Sequence, residues 1–434
     1  MLKLFRPFLF FLVFGHSFPS RAQDEKDWLR KEVQILCAKD MAGRGYVDNG
    51  KEKAADYLEK RFLEFGLKPL GALGLFRQSY YFPVNTFPGD VALKLGNKKL
   101  LPGVDFLIDA GSASFRRKKI KVVRLDLNSI KDSAEWIKTL SSWKTKRHVY
   151  ILQNADSLCK KLSIRIWRFA EDLPKGCFII PQHGKLTWTV STKQYPATVY
   201  YVEDTVLPAS MNIASIDVQA KYIPINKISA NKNENIIGVL PGQVKDSFII
   251  FSAHYDHLGM MGKDAMFPGA SDNASGTAML LYLAHYFSTH PQHYSILFVS
   301  FSGEEAGLLG SAYFVQHPPI PLDHIRFLTN LDIMGDASDG VTVVNATEYP
   351  KQFDMLKKIN TDNNCLPAIK SRGKAANSDH YHFSEAGVPS FFIYSNGGKG
   401  YYHDVFDDAA SLSFNNIDKL AKLLIEFGET LNKP

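Results

Sequence analysis

Apolar residues recur with two different periods along this 434-residue chain. Between residues 25 and 65 the spacing is helical. Trp28, Val33, Ile35 and Leu36 form one stripe, and Ala55, Tyr57, Leu58, Phe62 and Phe65 a second, each matching a 3.6-residue turn. Two helices are predicted, separated by a turn at Met41-Ala42-Gly43-Arg44-Gly45. Residues 76–84 alternate, with Gln78, Tyr80 and Phe82 on one face, and predict a strand. From Ile213 the pattern becomes regular. Strands are predicted over 213–223, 236–240, 247–252, 295–301, 325–331 and 390–394, and helices over 274–286, 306–316 and 414–431. Short runs that are apolar at successive positions suit strands buried on both faces. Their alternation with helices predicts an α/β sandwich around a mostly parallel sheet.

The stretch 85–212 breaks that pattern. It holds short β-like runs at 121–125, 149–152, 177–180 and 197–202, with several turns and few clustered His, Asp or Glu residues. It reads as an inserted β-rich domain without catalytic residues. The peptide unit around it is then discontinuous, 23–84 joined to 213–434. At the amino terminus Lys3 and Arg6 precede an apolar run over 7–15, followed by Ser20-Arg21-Ala22. That order predicts a signal peptide cut after Ala22; a retained anchor is the alternative reading. The run is too short to span a bilayer, and no later segment reaches the ~18 consecutive apolar residues a span requires. A secreted or periplasmic protein is expected, with no stable membrane insertion once the leader is removed.

The formal charge of +7 is modest for this length. The run Arg116-Arg117-Lys118-Lys119 reads as a solvated loop or strand edge, and no nucleic-acid partner is expected. Oligomeric state stays open. Of the four cysteines, Cys159 and Cys177 could pair in an exported protein; the other reading is four separate buried thiols. None sits in a Cys-x-x-Cys pair, so no thiolate zinc site is expected.

The candidate chemistry falls mostly where the predicted buried strands end. His254 and Asp256 follow the strand at 247–252. Asp272 and Asn273 lie in Gly269-Ala270-Ser271-Asp272-Asn273-Ala274-Ser275-Gly276, just before a helix. Glu304 and Glu305 follow the strand ending at Phe301, Asp332 follows Leu331, and His403 follows Tyr401-Tyr402 in a late loop. Ligands of open α/β sheets gather outside the carboxyl ends of the strands, so all five segments can serve one cleft. Two histidines with several carboxylates suit zinc, with cobalt or manganese as substitutes. A bridging carboxylate can hold two ions about 3.5–4 Å apart, and a free carboxylate beside them can move protons. His257, His285, His290 and His293 read as ordinary residues.

In this order, the motifs resemble the secreted dizinc aminopeptidases, whose relatives include bacterial leucyl aminopeptidases, glutaminyl cyclases and the transferrin receptor ectodomain. The resemblance rests on 253–259, 269–276, 301–311, Asn330-Leu331-Asp332 and Tyr402-His403, with Met41 to Gly45 at the start. It implies a three-layer α/β/α zinc-exopeptidase fold and two zinc ions per chain. His254 and Asp332 would hold one, Glu305 and His403 the other, and Asp272 would bridge. Glu304 would be the general base and acid, Asp256 would orient a metal-bound histidine, and Tyr402 would hydrogen-bond the oxyanion. A cis Asp272–Asn273 bond and a protease-associated-like insert are also implied. His380, in Ser378-Asp379-His380-Tyr381-His382-Phe383, would lie near the cleft and off the metal. Asp404-Val405 stands where many members have Thr-Pro, and Asp407 matches their following aspartate. The expected substrates are peptides cut at the amino terminus. A single-zinc glutaminyl cyclotransferase and a non-catalytic receptor-like module are the alternatives, and the complete ligand set weighs against both.

Overall fold

The structure, a computed structural model, describes residues 21–70, 74–208, 210–225 and 231–434. Most of the predicted leader, residues 1–20, lies outside them. The apolar runs assemble into a nine-stranded mixed sheet. Its centre is four parallel strands, in the spatial order Tyr294–Phe301, Val244–His254, Ile325–Leu331 and Ser390–Ser395. Lys232–Leu240 and Val341–Val344 flank them antiparallel. Arg77–Tyr81 pairs with Lys232–Leu240, which ties the amino-terminal segment into this sheet.

Val244–His254 shows why the run is apolar at successive positions. Ile249, Phe251 and Ala253 pack into one core, while Phe248 and Ile250 pack into another on the opposite face. Helices Arg21–Leu36, Gly50–Glu64, Gly276–Ser288, Pro350–Asn363 and Ile417–Leu431 contribute to the first core. Leu309–Gln316 and His380–Glu385 cover the second through Phe314 and Phe383. The result is the α/β/α layering expected, since a sheet buried on both faces needs helices on both. Among the described residues no helix is long and apolar enough to cross a membrane.

The middle of the chain forms a second, eight-stranded sheet. Phe115–Asp126, His148–Gln153, Gly176–Gln182 and Ala197–Glu203 run parallel in it. Parallel neighbours need crossover connections, and the first two carry helices Ser133–Ser142, Ala155–Lys161 and Ile166–Glu171. Trp136, Leu158 and Phe169 pack these helices onto one face of the sheet. This part is therefore α/β in character, whereas the sequence pattern suggested β-runs and turns. Helices of 10, 7 and 6 residues contain too few turns for a period to register. The segment read as one strand over 213–223 also divides. Ile213–Val218 pairs with Val91–Leu95 and Phe115–Asp126 in the second sheet, and Lys221–Ile223 pairs with Val84–Thr86.

All four cysteines are free and buried. Cys177 faces the core with Ile179, while Cys159 packs on the opposite face of the same sheet with Phe178 and Ile180. The sheet itself separates the pair. Burial pushes the thiols of Cys37 and Cys159 up to about 11, so neither is a thiolate at neutral pH.

The turn after the first helix has a packing role that its sequence conceals. Arg44 is fully buried and faces main-chain carbonyls. Its guanidinium donates to Tyr255 O and Leu36 O at 2.9 Å, and to Pro268 O and Gly269 O at 2.7 Å. The oxygens of Tyr255, Pro268 and Gly269 belong to the loops that follow His254 and precede Asp272, and Leu36 O to the end of the first helix. Each hydrogen bond from a charged donor is worth about 1.5–3 kcal/mol, and buried acceptors left unpaired add to the loss. Arg44→Met should lower unfolding free energy by about 3–5 kcal/mol, read from urea denaturation midpoints. A loss under about 1 kcal/mol would show that the carbonyls find other partners.

Candidate active site

Each parallel strand of the large sheet ends at the same edge, and the polar residues emerge there. His254 is the last residue of its strand, Asp332 directly follows Ile325–Leu331, and Glu304 and Glu305 follow Tyr294–Phe301. Asp272 sits in the turn that leads into helix Gly276–Ser288, and His403 in the loop after Ser390–Ser395. His254 Nε2 lies 3.2 Å from Asp272 Oδ1 and 3.4 Å from Asp332 Oδ1. His403 Nε2 lies 3.0 Å from Asp272 Oδ2 and 3.1 Å from Glu305 Oε2. The cleft above them, about 250 Å³, is lined by Asp272, Glu304 and Asp332 with Tyr394 and Tyr402.

The Asp272 turn is built by its neighbours. Gly269 has φ +59°, and a Cβ there would collide with Asp272 O and the His257 ring. A Cβ on Gly276 would strike Asn273 Oδ1 and Leu331 O, so only glycine fits either position. Asn273 Oδ1 accepts from Gly276 N at 2.9 Å and Ile333 N at 3.2 Å, and its amide donates to Leu331 O at 3.0 Å. One side chain thus ties the turn of Asp272 to the loop of Asp332. The Asp272–Asn273 peptide bond is cis, as the resemblance implied. Asp407 receives Ser271 N at 2.8 Å and Asp272 N at 3.2 Å, which fixes the turn from the other side.

Asp332 is oriented by a polar relay buried across three elements. Ser252 Oγ donates to Asn330 Oδ1, Asn330 Nδ2 to Ser378 Oγ, and Ser378 Oγ to Asp332 Oδ2, each at 2.8 Å. Asp332 Oδ1 and His254 Nε2 are buried without a hydrogen-bond partner among the described residues. Unpaired buried acceptors and donors are costly, and a cation between imidazole nitrogen and carboxylate oxygen would satisfy both. His254 with Asp272 and Asp332 forms one group able to hold an ion, and Glu305 with His257 and Asp272 another. Such nitrogen and oxygen donors suit zinc.

Charge distribution separates the carboxylates. Loss of hydration opposes ionisation of Asp272, yet the adjacent imidazoles of His254 and His403 hold it well below the usual carboxylate range. Burial likewise opposes ionisation of Glu305, but His403 and His257 lower it to about 2. Glu304 goes the other way. Loss of hydration, then the charges of Glu305, Asp332 and Asp379, raise it well above the usual range against the pull of His254.

Several residues take positions that the sequence did not disclose. His257, read as ordinary, is buried with Nδ1 2.6 Å from Glu305 Oε1. The Asp256 carboxylate accepts Glu304 N at 3.2 Å and the Tyr46 hydroxyl at 3.3 Å. It lies 3.8 Å from His254 Nδ1, whereas the Asp256 carbonyl is closer, at 3.2 Å. Tyr402 is 44 % exposed and stacks on His403 with ring centres 3.9 Å apart. His380 is buried behind the cleft wall, its ring 5.4 Å from that of Phe392. The segment between Gly176–Gln182 and Ala197–Glu203 of the second sheet also reaches the site. Trp188 O is 3.0 Å from His403 Nδ1, and Trp188 N donates to His403 O at 2.8 Å. Lys185 pairs with Asp404 at 2.9 Å. A carbonyl on Nδ1 leaves Nε2 to face the carboxylates, the arrangement that orients metal-bound histidines.

Residues 235–428 match peptidase family M28. That match covers a little under half of the chain. It holds every ligand candidate named above. In sequence the chain is similar to aminopeptidase YwaD of Bacillus subtilis (strain 168), 26 % identical over 253 residues, or 50 % of this chain and 52 % of the relative. It is also similar to leucine aminopeptidase 1 of Sclerotinia sclerotiorum, 30 % identical over 202 residues, or 43 % of this chain and 52 % of the relative. The chain thus spans about half the length of these relatives. In fold it is similar to BSAP, a zinc aminopeptidase from Bacillus subtilis, with TM-score 0.66 and 17 % identity over 94 % of this chain and 95 % of that one. That likeness in fold extends beyond residues 235–428 to the second sheet.

Proposed function

We propose that this chain is an exported metallo-exopeptidase that removes the amino-terminal residue of peptides with two zinc ions. One observation carries the reading. The two oxygens of Asp272 face different histidines, Oδ1 toward His254 at 3.2 Å and Oδ2 toward His403 at 3.0 Å. A carboxylate that serves two ions needs this divided geometry. His254 and Asp332 complete one ligand set, Glu305 and His403 the other. Zinc bound there would polarise the scissile carbonyl and favour hydroxide formation from water near neutral pH.

The chain's own residues supply the rest. Glu304 lines the cleft beside Asp272 and Asp332, placed to take a proton from the attacking water and return it to the leaving amine. Its main-chain N–H is held by Asp256. Tyr402, which lines the cleft and stacks on His403, would serve as an oxyanion donor. Trp188 fixes the His403 ring through its carbonyl. The aminopeptidase names of the sequence relatives agree with this reading. A single-zinc cyclotransferase would need only half of the ligand set, and a receptor-like module none of it.

The purified chain should release amine from aminoacyl anilides, lose that activity to a chelator, and regain it with zinc at about two ions per chain. No chelator-sensitive release from any aminoacyl anilide would overturn the proposal.

A further inference from the structure

Among the described residues that line the catalytic cleft, Arg372 is the only cation. The other polar lining is Asp272, Glu304, Asp332, Asn377 and two tyrosines. Its backbone is pinned to the sheet edge, with its N–H donating to Val343 O at 2.9 Å and its carbonyl accepting from Ala346 N at 3.1 Å. The side chain beyond that anchor is exposed. No carboxylate of the described residues pairs with it. Arg77, by contrast, is saturated by Asp56, Glu59 and Glu234.

With two divalent ions in place, a reading on which this step rests, the carboxylates of Asp272, Glu305 and Asp332 are spent as ligands. Glu304 is spent as base. The guanidinium then remains the uncompensated charge on the cleft wall. It stands on a fixed backbone, with the Asn377 amide in the same wall. A planar fork of donors binds carboxylate in bidentate fashion and discriminates sharply against its uncharged isostere.

We propose that Arg372 selects substrates carrying a carboxylate close to the scissile bond. One source is the side chain of an amino-terminal Glu or Asp, and the other is the free carboxy terminus of a dipeptide. Both present the same group to the same fork. Neither requires Arg372 to touch the reacting atoms, so its effect is on specificity.

Glutamyl anilide should be turned over with a kcat/KM about tenfold or more above its isostere glutaminyl anilide, or Leu-Gly should exceed Leu-Gly amide by a like factor. The first result assigns the side-chain source and the second the dipeptide source. In Arg372→Gln the favoured ratio should fall to near one, and Arg372→Lys should restore part of it. Equal rates within both pairs, or a ratio that survives Arg372→Gln, would overturn the proposal. A readout without turnover keeps this separate from the peptidase reading. In calorimetry on the zinc-loaded protein, free glutamate should bind more tightly than glutamine, or free Gly-Gly more tightly than Gly-Gly amide, and the preference should vanish in Arg372→Gln. If nothing is hydrolysed but the binding preference follows Arg372, the peptidase reading fails and the carboxylate site stands. If anilides are hydrolysed and no preference appears in rate or binding, the carboxylate site fails alone.

Discussion

Glu304→Gln is expected to lower turnover of an aminoacyl anilide about 10²–10⁴-fold, the range that a positioned acid–base group supplies. The zinc content and the thermal midpoint should stay at wild-type values. Glutamine keeps the size of glutamate and its polar tip, but it cannot take up a proton near neutral pH. The main-chain N–H at position 304 would still donate to Asp256, so the loop has no reason to move. Glu305, the neighbouring ligand candidate, is held from a different side by His257 and His403. Loss of turnover with full metal content therefore isolates proton transfer from metal binding. Turnover within tenfold of wild type would remove Glu304 as the base, and the search would pass to Asp379, buried next in the ring of charges around it. A fall in zinc content would instead mean that Glu304 is itself a ligand, which the grouping of His254, Glu304 and Glu305 makes a concrete alternative outcome.

Most of this centre was legible in the sequence for a simple reason. Every proposed ligand sits at or just beyond the end of an element whose period is strong. The runs before His254, Glu304 and Asp332 are apolar on both faces because helices cover both sides of the sheet, and that burial writes itself into consecutive residues. Asp272 is marked by two glycines that no other residue can replace sterically. Arg44 was visible as part of a turn but not as a buried cation, since its partners are main-chain carbonyls with no side-chain signature. The same holds for His403 and Trp188. Their contact bridges 215 residues and uses only the tryptophan's backbone, so it could not be read from residue types. His257 was passed over because His-x-Asp-His offers three candidates and only the fold decides which face which. The helices beside the second sheet escaped because they are short, and Ile213–Val218 was read as one strand with Lys221–Ile223 because an apolar run says nothing about its partner. Arg372, on an exposed segment between strand and helix, looks in sequence like any solvated arginine.

Asp272→Asn should have the second large effect, and it tests the count of ions rather than the chemistry. The substitution preserves shape and the hydrogen bonds that Ser271 and Asp272 backbone groups give to Asp407. It removes one negative charge and one anionic oxygen from between two histidines. Loss of an outer-shell partner alone typically costs about 10–100-fold in metal affinity, and a carboxylate shared by two ions should cost more at both positions. Zinc per chain, measured after equilibration with a weak chelator, should fall from two to one or none, with turnover lost at least about 10²-fold. Glu304→Gln leaves the metal and removes the proton acceptor; Asp272→Asn leaves the proton acceptor and removes the metal. Two zinc ions retained in Asp272→Asn would show that each ion is held by its own histidine and carboxylate pair without a bridge. A single tightly held ion in the wild-type protein would be more disruptive. It would strip His403 and Glu305 of their partner, leave the second imidazole facing two carboxylates as an ordinary ion pair, and bring the single-zinc cyclisation chemistry back as the better account of the cleft.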